Sequence, residues 1–176
     1  MSPTDPGREP GVVSLRIDGL AAGGRGVGRH EGRVWFVERG LPGDRVLARP
    51  IARRARFVEA ERVRLERPSP SRRQPPCVHQ DRCGGCPWMP LAEVEQRAWK
   101  ERLVRDALAR IGGIADCPVE PTRSTGSPLG YRNRVEFAVA WDESGRATIG
   151  LHRAGGGGLV AIDRCLLQSD AANRTL

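Results

Sequence analysis

Cys77-Val-His-Gln-Asp-Arg-Cys83-Gly-Gly-Cys86 is the stretch around which the rest of the chain is organised. Three of the five cysteines fall in it, spaced C-x5-C-x2-C, and Gly84-Gly85 lets the backbone turn tightly around whatever they hold. Thiolates bind soft metals, either zinc or the irons of an iron–sulfur cluster. Four ligands close such a site, so a fourth must arrive from elsewhere in the sequence. Cys165, in Asp163-Arg164-Cys165, is the best-placed candidate, and Cys117 is its competitor. With Cys165 as the fourth ligand, the centre ties the middle of the chain to its end.

At 176 residues the chain has room for one good domain or two small ones. Hydrophobic residues at 39% and charged residues at 28% describe a soluble globular protein. No apolar run approaches the ~20 residues that span a bilayer. Residues 1–10 have neither the apolar core of a signal peptide nor an amphipathic Arg/Ser pattern. They are expected to be a disordered lead, and the protein a cytoplasmic monomer with no membrane partner. In that reducing compartment clustered cysteines mean metal rather than disulfide.

The charge is uneven. Residues 1–75 carry 16 Arg against 9 acidic residues, a net +7 of the whole chain's +8. An excess almost all ahead of the cysteines is what a polyanion-binding module would carry; the alternative is a solvated basic surface in an arginine-rich protein whose only lysine is Lys100. Within that part the sequence reads as short strands punctuated by glycine. Val13, Leu15 and Ile17 alternate with Ser14, Arg16 and Asp18, the period of a half-buried strand. Gly23 to Arg29 reads as a glycine-rich loop, with neither a following helix nor a Walker lysine to make it a nucleotide cradle. Arg33 to Val37 is a second strand, Leu41-Pro42-Gly43-Asp44 a turn, and Arg45–Ile51 and Phe57–Arg67 two further strands. In the last, Phe57, Glu59, Glu61, Val63 and Leu65 share one parity, so burial is expected only towards its ends. The fold expected is mostly β with one main helix (α+β): an OB-like barrel over residues 11–67, then a cysteine segment, then a small antiparallel sheet. Such barrels bind single strands in a positive groove with aromatic stacking.

Gly26-Val27-Gly28-Arg29, Trp35-Phe36-Val37 and Leu41-Pro42-Gly43-Asp44 together resemble the TRAM domain, an RNA-binding barrel of tRNA- and rRNA-modifying enzymes. The RNA-contact candidates on the barrel are Arg25, Arg29, Arg33, Trp35, Phe36, Arg53, Arg54, Arg56, Arg62 and Arg64. Of Trp35 and Phe36, one must face the core, leaving the other to stack a base. Pro68 to Pro76 reads as a proline-rich linker, in which Arg72 and Arg73 either continue the RNA track or are simply solvated.

The cysteine triplet with its Gly-Gly, the distant Cys165 and Tyr131-Arg132-Asn133-Arg134 resemble the iron–sulfur (uracil-5)-methyltransferases of RNA, whose TRAM-bearing branch modifies 23S ribosomal RNA. The resemblance implies a [4Fe–4S] cluster on Cys77, Cys83, Cys86 and Cys165, a second set of RNA contacts from Arg132, Asn133 and Arg134, and ribosomal rather than transfer RNA as partner. Zinc sites usually show two paired C-x2–4-C arms, which this spacing lacks. Against the RNA role, Arg134 can simply pair with Glu136. His30, His79 and His152 have no motif support as ligands or bases.

After the cysteine segment of residues 68–90, Leu91 to Ile111 reads as a helix stopped by Gly112-Gly113, with Leu103, Val104, Ala107, Leu108 and Ile111 on one face. Trp99 is core or packing edge, and Cys117 structural or free. Val135 to Trp141, Ala147 to Leu151 and Leu159 to Ile162 alternate as strands, with a turn at Asp142–Gly145. Residues 91–176 are thus expected to be part of a central α+β domain ending at the fourth cluster cysteine. In the resembled enzymes a Rossmann-type domain binds S-adenosylmethionine and carries the nucleophilic cysteine and the base. No such pattern occurs here, so no catalytic or methyl-donor-binding residue is assigned to this chain. The expectation is the RNA-binding, cluster-bearing N-terminal part of a methyltransferase, inactive alone; the alternative is a stand-alone iron–sulfur or zinc RNA-binding module.

Overall fold

The computed structural model describes residues 11–124, 126–141 and 144–175. The lead expected at residues 1–10 and Asp142-Glu143 of the expected turn lie outside them. Five strands, β1 (Val13–Leu20), β2 (Gly26–His30), β3 (Arg33–Glu38), β4 (Arg45–Arg53) and β5 (Phe57–Arg67), close a barrel in the order β1-β2-β3-β5-β4. All neighbouring pairs are antiparallel except β3 and β5, which run parallel, so the architecture is the five-stranded OB type. The helix α1 (Glu93–Arg110), a three-stranded antiparallel sheet of β6 (Ala138–Trp141), β7 (Ala147–His152) and β8 (Leu159–Ala161), and a short α2 (Asp170–Asn173) follow. Mostly strand with one main helix is the fold class expected.

Alternation builds the barrel core. Leu15, Ile17, Trp35, Val37, Val46, Ala48, Val58 and Ala60 point inward and are buried together. Two readings of the sequence change here. The glycine-rich stretch is not all loop, because Gly26–His30 is a ladder strand. Its glycines are required by closeness: a Cβ on Gly26 would stand 2.6 Å from the Gly40 carbonyl oxygen, and one on Gly28 2.4 Å from that of Arg16. In β5 the buried parity is Val58 and Ala60, while Phe57, Glu59 and Glu61 face outward, and register shifts against β4 then bring Leu65 back to the core edge. The acidic residues therefore interrupt no apolar face; they sit on the outer one.

Leu41-Pro42-Gly43-Asp44 is the turn expected. Asp44 N–H donates to the Leu41 carbonyl at 3.0 Å, and Gly43 takes φ +89°, the left-handed value that a type II turn needs at that place. Asp44 then does more than close the turn. Fully buried, it accepts the backbone N–H groups of Leu41 (2.7 Å) and Ser69 (2.9 Å) and a bidentate pair from Arg72 (2.7 Å each). The proline-rich segment is thus fastened to the barrel at Ser69 and Arg72. Arg73 pairs with Glu93 at 3.0 Å. Both arginines have local carboxylates, which corrects their reading as simply solvated.

The chain divides into two compact units, Met1–Gln74 with Pro90–Thr122, and Pro75–Met89 with Arg123–Leu176. The first holds the barrel and α1, where the Trp99 ring lies against Gly19 and carries the Arg102 guanidinium at 4.5 Å. No α1 residue is fully buried, and Val104 and Ile111 of the expected apolar face are exposed. In the second unit β6 begins only at Ala138, later than the alternation from Val135 predicts.

Candidate metal centre and nucleic-acid interface

The second unit brings Cys77, Cys83, Cys86 and Cys165 to the wall of one pocket of about 430 Å³, partly open to solvent. Local backbone bonding explains how. The Cys77–Cys86 segment coils on itself, with Gln80 N–H on the Cys77 carbonyl (3.2 Å), Cys83 N–H on that of His79 (2.8 Å) and the Gln80 amide on that of Cys86 (3.0 Å). It is pinned to the turn after β7 by Gly84 N–H to the His152 carbonyl and Ala154 N–H to that of Arg82, both 3.0 Å. A Cβ on Gly84 would lie 3.3 Å from the backbone atoms His152 O and Ala154 N, so a bare residue suits this join. Cys165 is held by Asn173, whose side-chain oxygen accepts its N–H at 2.9 Å and whose amide donates to its carbonyl at 3.1 Å. Ser169 in turn caps α2, its hydroxyl accepting Ala172 N–H at 3.2 Å.

All five cysteines are free thiols. The Cys86 thiol is pushed up to about 11, first by burial and then by Cys165, with Cys83 and Cys77 acting in the same sense and Arg132 against them. The four sulfurs thus lie within electrostatic reach of one another, an unfavourable cluster for thiolates without a cation. Gly85 N–H donates to Cys83 Sγ at 3.4 Å, the kind of bond that tunes a metal-bound sulfur. Among the described residues no three His, Cys, Asp or Glu side chains are already gathered as tightly as one metal ion requires. By its chemistry the donor set fits a soft metal group, and Cys77, Cys83, Cys86 and Cys165 would hold it. Cys117 belongs to the other unit, on a loop where its Sγ is 3.8 Å from the Pro118 carbonyl.

His79 also lines the pocket, buried, with Nε2 3.1 Å from Asp163 Oδ1. That hydrogen bond is the main cause holding the Asp163 carboxyl below its ordinary value. The Nδ1 atom is buried without a partner among the described residues. Neither His79 nor Asn173 stood out in the sequence. The place of His79 inside the cysteine motif was the available signal; Asn173 gave none. Arg132 lines the mouth of the pocket while remaining exposed, as Asn133 and Arg134 are, and Arg134 pairs with Glu136.

On the barrel, Trp35 is 2% exposed and packs in the core, which removes it from the surface set; Phe36 is the aromatic that faces out. Phe36 meets Phe57 edge to face at 5.3 Å and carries the Arg25 guanidinium 5.1 Å above its ring. Strand register sorts the other cations. Val34 lies opposite Phe57, and Val58 opposite Arg53, so the β2–β3 and β4–β5 hairpin tips share one end of the barrel. Arg29, Arg33, Arg53, Arg54 and Arg56 gather there, all exposed, with Arg54 paired to Glu59 at 3.4 Å. Arg62 and Arg64 lie farther along β5, opposite Ala48 and Leu47.

Residues 11–63 match the sequence profile of the TRAM domain. The barrel is a TRAM domain. Beyond it, the chain is 42% identical over 165 residues to an uncharacterized RNA methyltransferase of Nitratidesulfovibrio vulgaris, covering 94% of this chain and 35% of that protein. It is 39% identical over 155 residues to a 23S rRNA uracil-C5-methyltransferase of Pseudomonas aeruginosa, covering 87% of this chain and 34% of the other. The chain is thus a relative of RNA methyltransferases and spans about a third of the length of the curated relatives it matches. Its fold resembles that of a Pyrococcus abyssi tRNA (uracil-54, C5)-methyltransferase solved with S-adenosyl-L-homocysteine, with a TM-score of 0.55 at 22% identity over 92% of this chain and 34% of that one. Among the described residues no helix beside the TRAM domain or elsewhere is long and apolar enough to cross a membrane.

Proposed function

We propose that this chain is the RNA-recognition and iron–sulfur part of an S-adenosylmethionine-dependent RNA uracil-5-methyltransferase acting on ribosomal RNA in the cytoplasm. The observation that carries the reading is four thiols around one pocket in the same chain as a TRAM domain. In this reading Cys77, Cys83, Cys86 and Cys165 ligate a [4Fe–4S] cluster. With all four places filled by protein, the cluster orders the cysteine segment against the sheet and leaves no iron open for substrate. Arg25, Phe36 and the cations at the hairpin end of the barrel take the RNA, and the methyl donor, the nucleophile and the base lie outside this chain. The ribosomal assignment leans on the name of the Pseudomonas relative.

Anaerobic reconstitution with iron and sulfide tests the centre. Wild-type protein should take up four irons per chain and colour; Cys165→Ser should lose most of that iron, and Cys117→Ser should keep it. Because the Cys86 thiol is protonated well above neutral pH, loading must displace its proton, so affinity should rise with pH towards 11. Stoichiometric zinc with no iron uptake would overturn the cluster, and undiminished iron in Cys165→Ser would overturn the ligand set.

A further inference from the structure

Two arginines line the cysteine pocket, Arg132 and Arg164. Arg164 is engaged elsewhere, its Nη2 lying 2.9 Å from Asp170 Oδ1. Arg132 is placed firmly by its backbone. Its N–H donates to the Leu167 carbonyl at 2.8 Å, in a parallel bridge with Gln168, which sets it beside the segment that carries Cys165. Its side chain has no carboxylate partner among the described residues. The neighbouring Arg134 pairs with Glu136, and the Asp163 carboxylate pairs with His79. Arg132 is thus a cation without a carboxylate partner among the described residues, lining a pocket that four cysteines also line.

Charge counting gives that cation a use. Four thiolates around a doubly charged metal core leave about −2 in a partly buried site, where interactions are weakly screened. A fixed positive charge that never titrates is the cheapest offset, and arginine is the side chain that supplies it. We propose that Arg132 is a positioning residue of the metal centre, its permanent charge offsetting the surplus negative charge of the thiolate-bound group, and not an RNA contact. The proposal rests on the metal-centre reading above and goes beyond it by taking one residue of the Tyr131–Arg134 motif away from RNA.

The test compares wild type, Arg132→Lys and Arg132→Gln, reconstituted anaerobically with iron and sulfide and checked for fold by circular dichroism. In Arg132→Gln iron should be lost to a chelator roughly ten-fold faster, the usual scale for a group supporting metal ligands. Its reduction potential should also move negative, because a cation stabilises the more negative reduced form. Arg132→Lys should keep both near wild type, since charge and not fork geometry is invoked. Metal-free wild type and Arg132→Gln should bind a single-stranded oligoribonucleotide equally. Unchanged chelator loss and potential in Arg132→Gln, or a Lys variant as impaired as Gln, would overturn the proposal; so would a fall in RNA affinity confined to metal-free Arg132→Gln. Failure of wild type to load any metal would remove the metal-centre reading itself and this proposal with it, an outcome plainly different from a loaded centre indifferent to Arg132.

Discussion

Asp44 shows what a single residue can do that no local pattern announces. Pro42 and Gly43 made its turn readable, because their backbone preferences are intrinsic. Its other bonds reach Ser69 and Arg72, 25 and 28 residues along the chain, and long-range partners carry no local signature. Asn173 is the same case at the cysteine pocket, bonded to both backbone groups of Cys165 across eight residues. The four cysteines that meet at this pocket stood out in the sequence by type and spacing; the residues that aim them did not. For Asp44 the consequence is measurable. Asp44→Ala strands the Arg72 guanidinium and two N–H donors, and should cost roughly 3–5 kcal/mol of barrel stability by urea denaturation. The double variant Asp44→Ala with Arg72→Met should recover part of the loss, because the stranded charge leaves with its partner. A single-variant cost below about 1 kcal/mol would mean that the fastening is ornamental.

At the scale of elements, the strands with clean alternation came through the sequence with near-correct ends, and the errors have physical causes. β2 read as loop because glycine normally marks turns, yet Gly26 and Gly28 serve a ladder squeezed against Gly40 and Arg16. β5 read with its faces exchanged, because bulges against β4 shift the register partway along and break the period of two. The apolar arc expected for α1 is only partly covered: Trp99, one turn before Leu103 at its edge, makes the contact with Gly19, while Val104 and Ile111 stay exposed. Gly28→Ala tests the squeeze. Its Cβ would stand 2.4 Å from both Arg16 O and Leu15 Cδ1, so the strands must part, at a cost of about 1–3 kcal/mol. A thermal midpoint equal to that of wild type would show that the ladder has slack which these distances deny.

For the whole molecule, charge counting placed the basic excess ahead of the cysteines, and strand alternation with its turns pointed to a barrel there; β1 to β5 run from Val13 to Arg67. Contiguity is what misled. The chain leaves the barrel, builds the cysteine loop, returns for α1 and departs again, so each compact unit is stitched from two stretches that no composition shift marks. The charge has a clearer fate, because strand register collects Arg29, Arg33, Arg53, Arg54 and Arg56 at one end of the barrel, beside Phe57. If that end takes phosphates, affinity for single-stranded RNA should fall linearly on a log–log plot against salt, by about 0.7 per phosphate engaged. Replacing Arg33 and Arg56 together by Gln should flatten the line by up to about 1.4, two contacts' worth, while Phe36→Leu should lower affinity at every salt concentration and leave the slope alone, since stacking releases no counterions. Fluorescence anisotropy with a labelled oligoribonucleotide between low and moderate salt separates the two effects. A slope unmoved by losing both arginines would shift the electrostatic footprint along β5 to Arg62 and Arg64, the RNA-contact candidates that register places farther from this end.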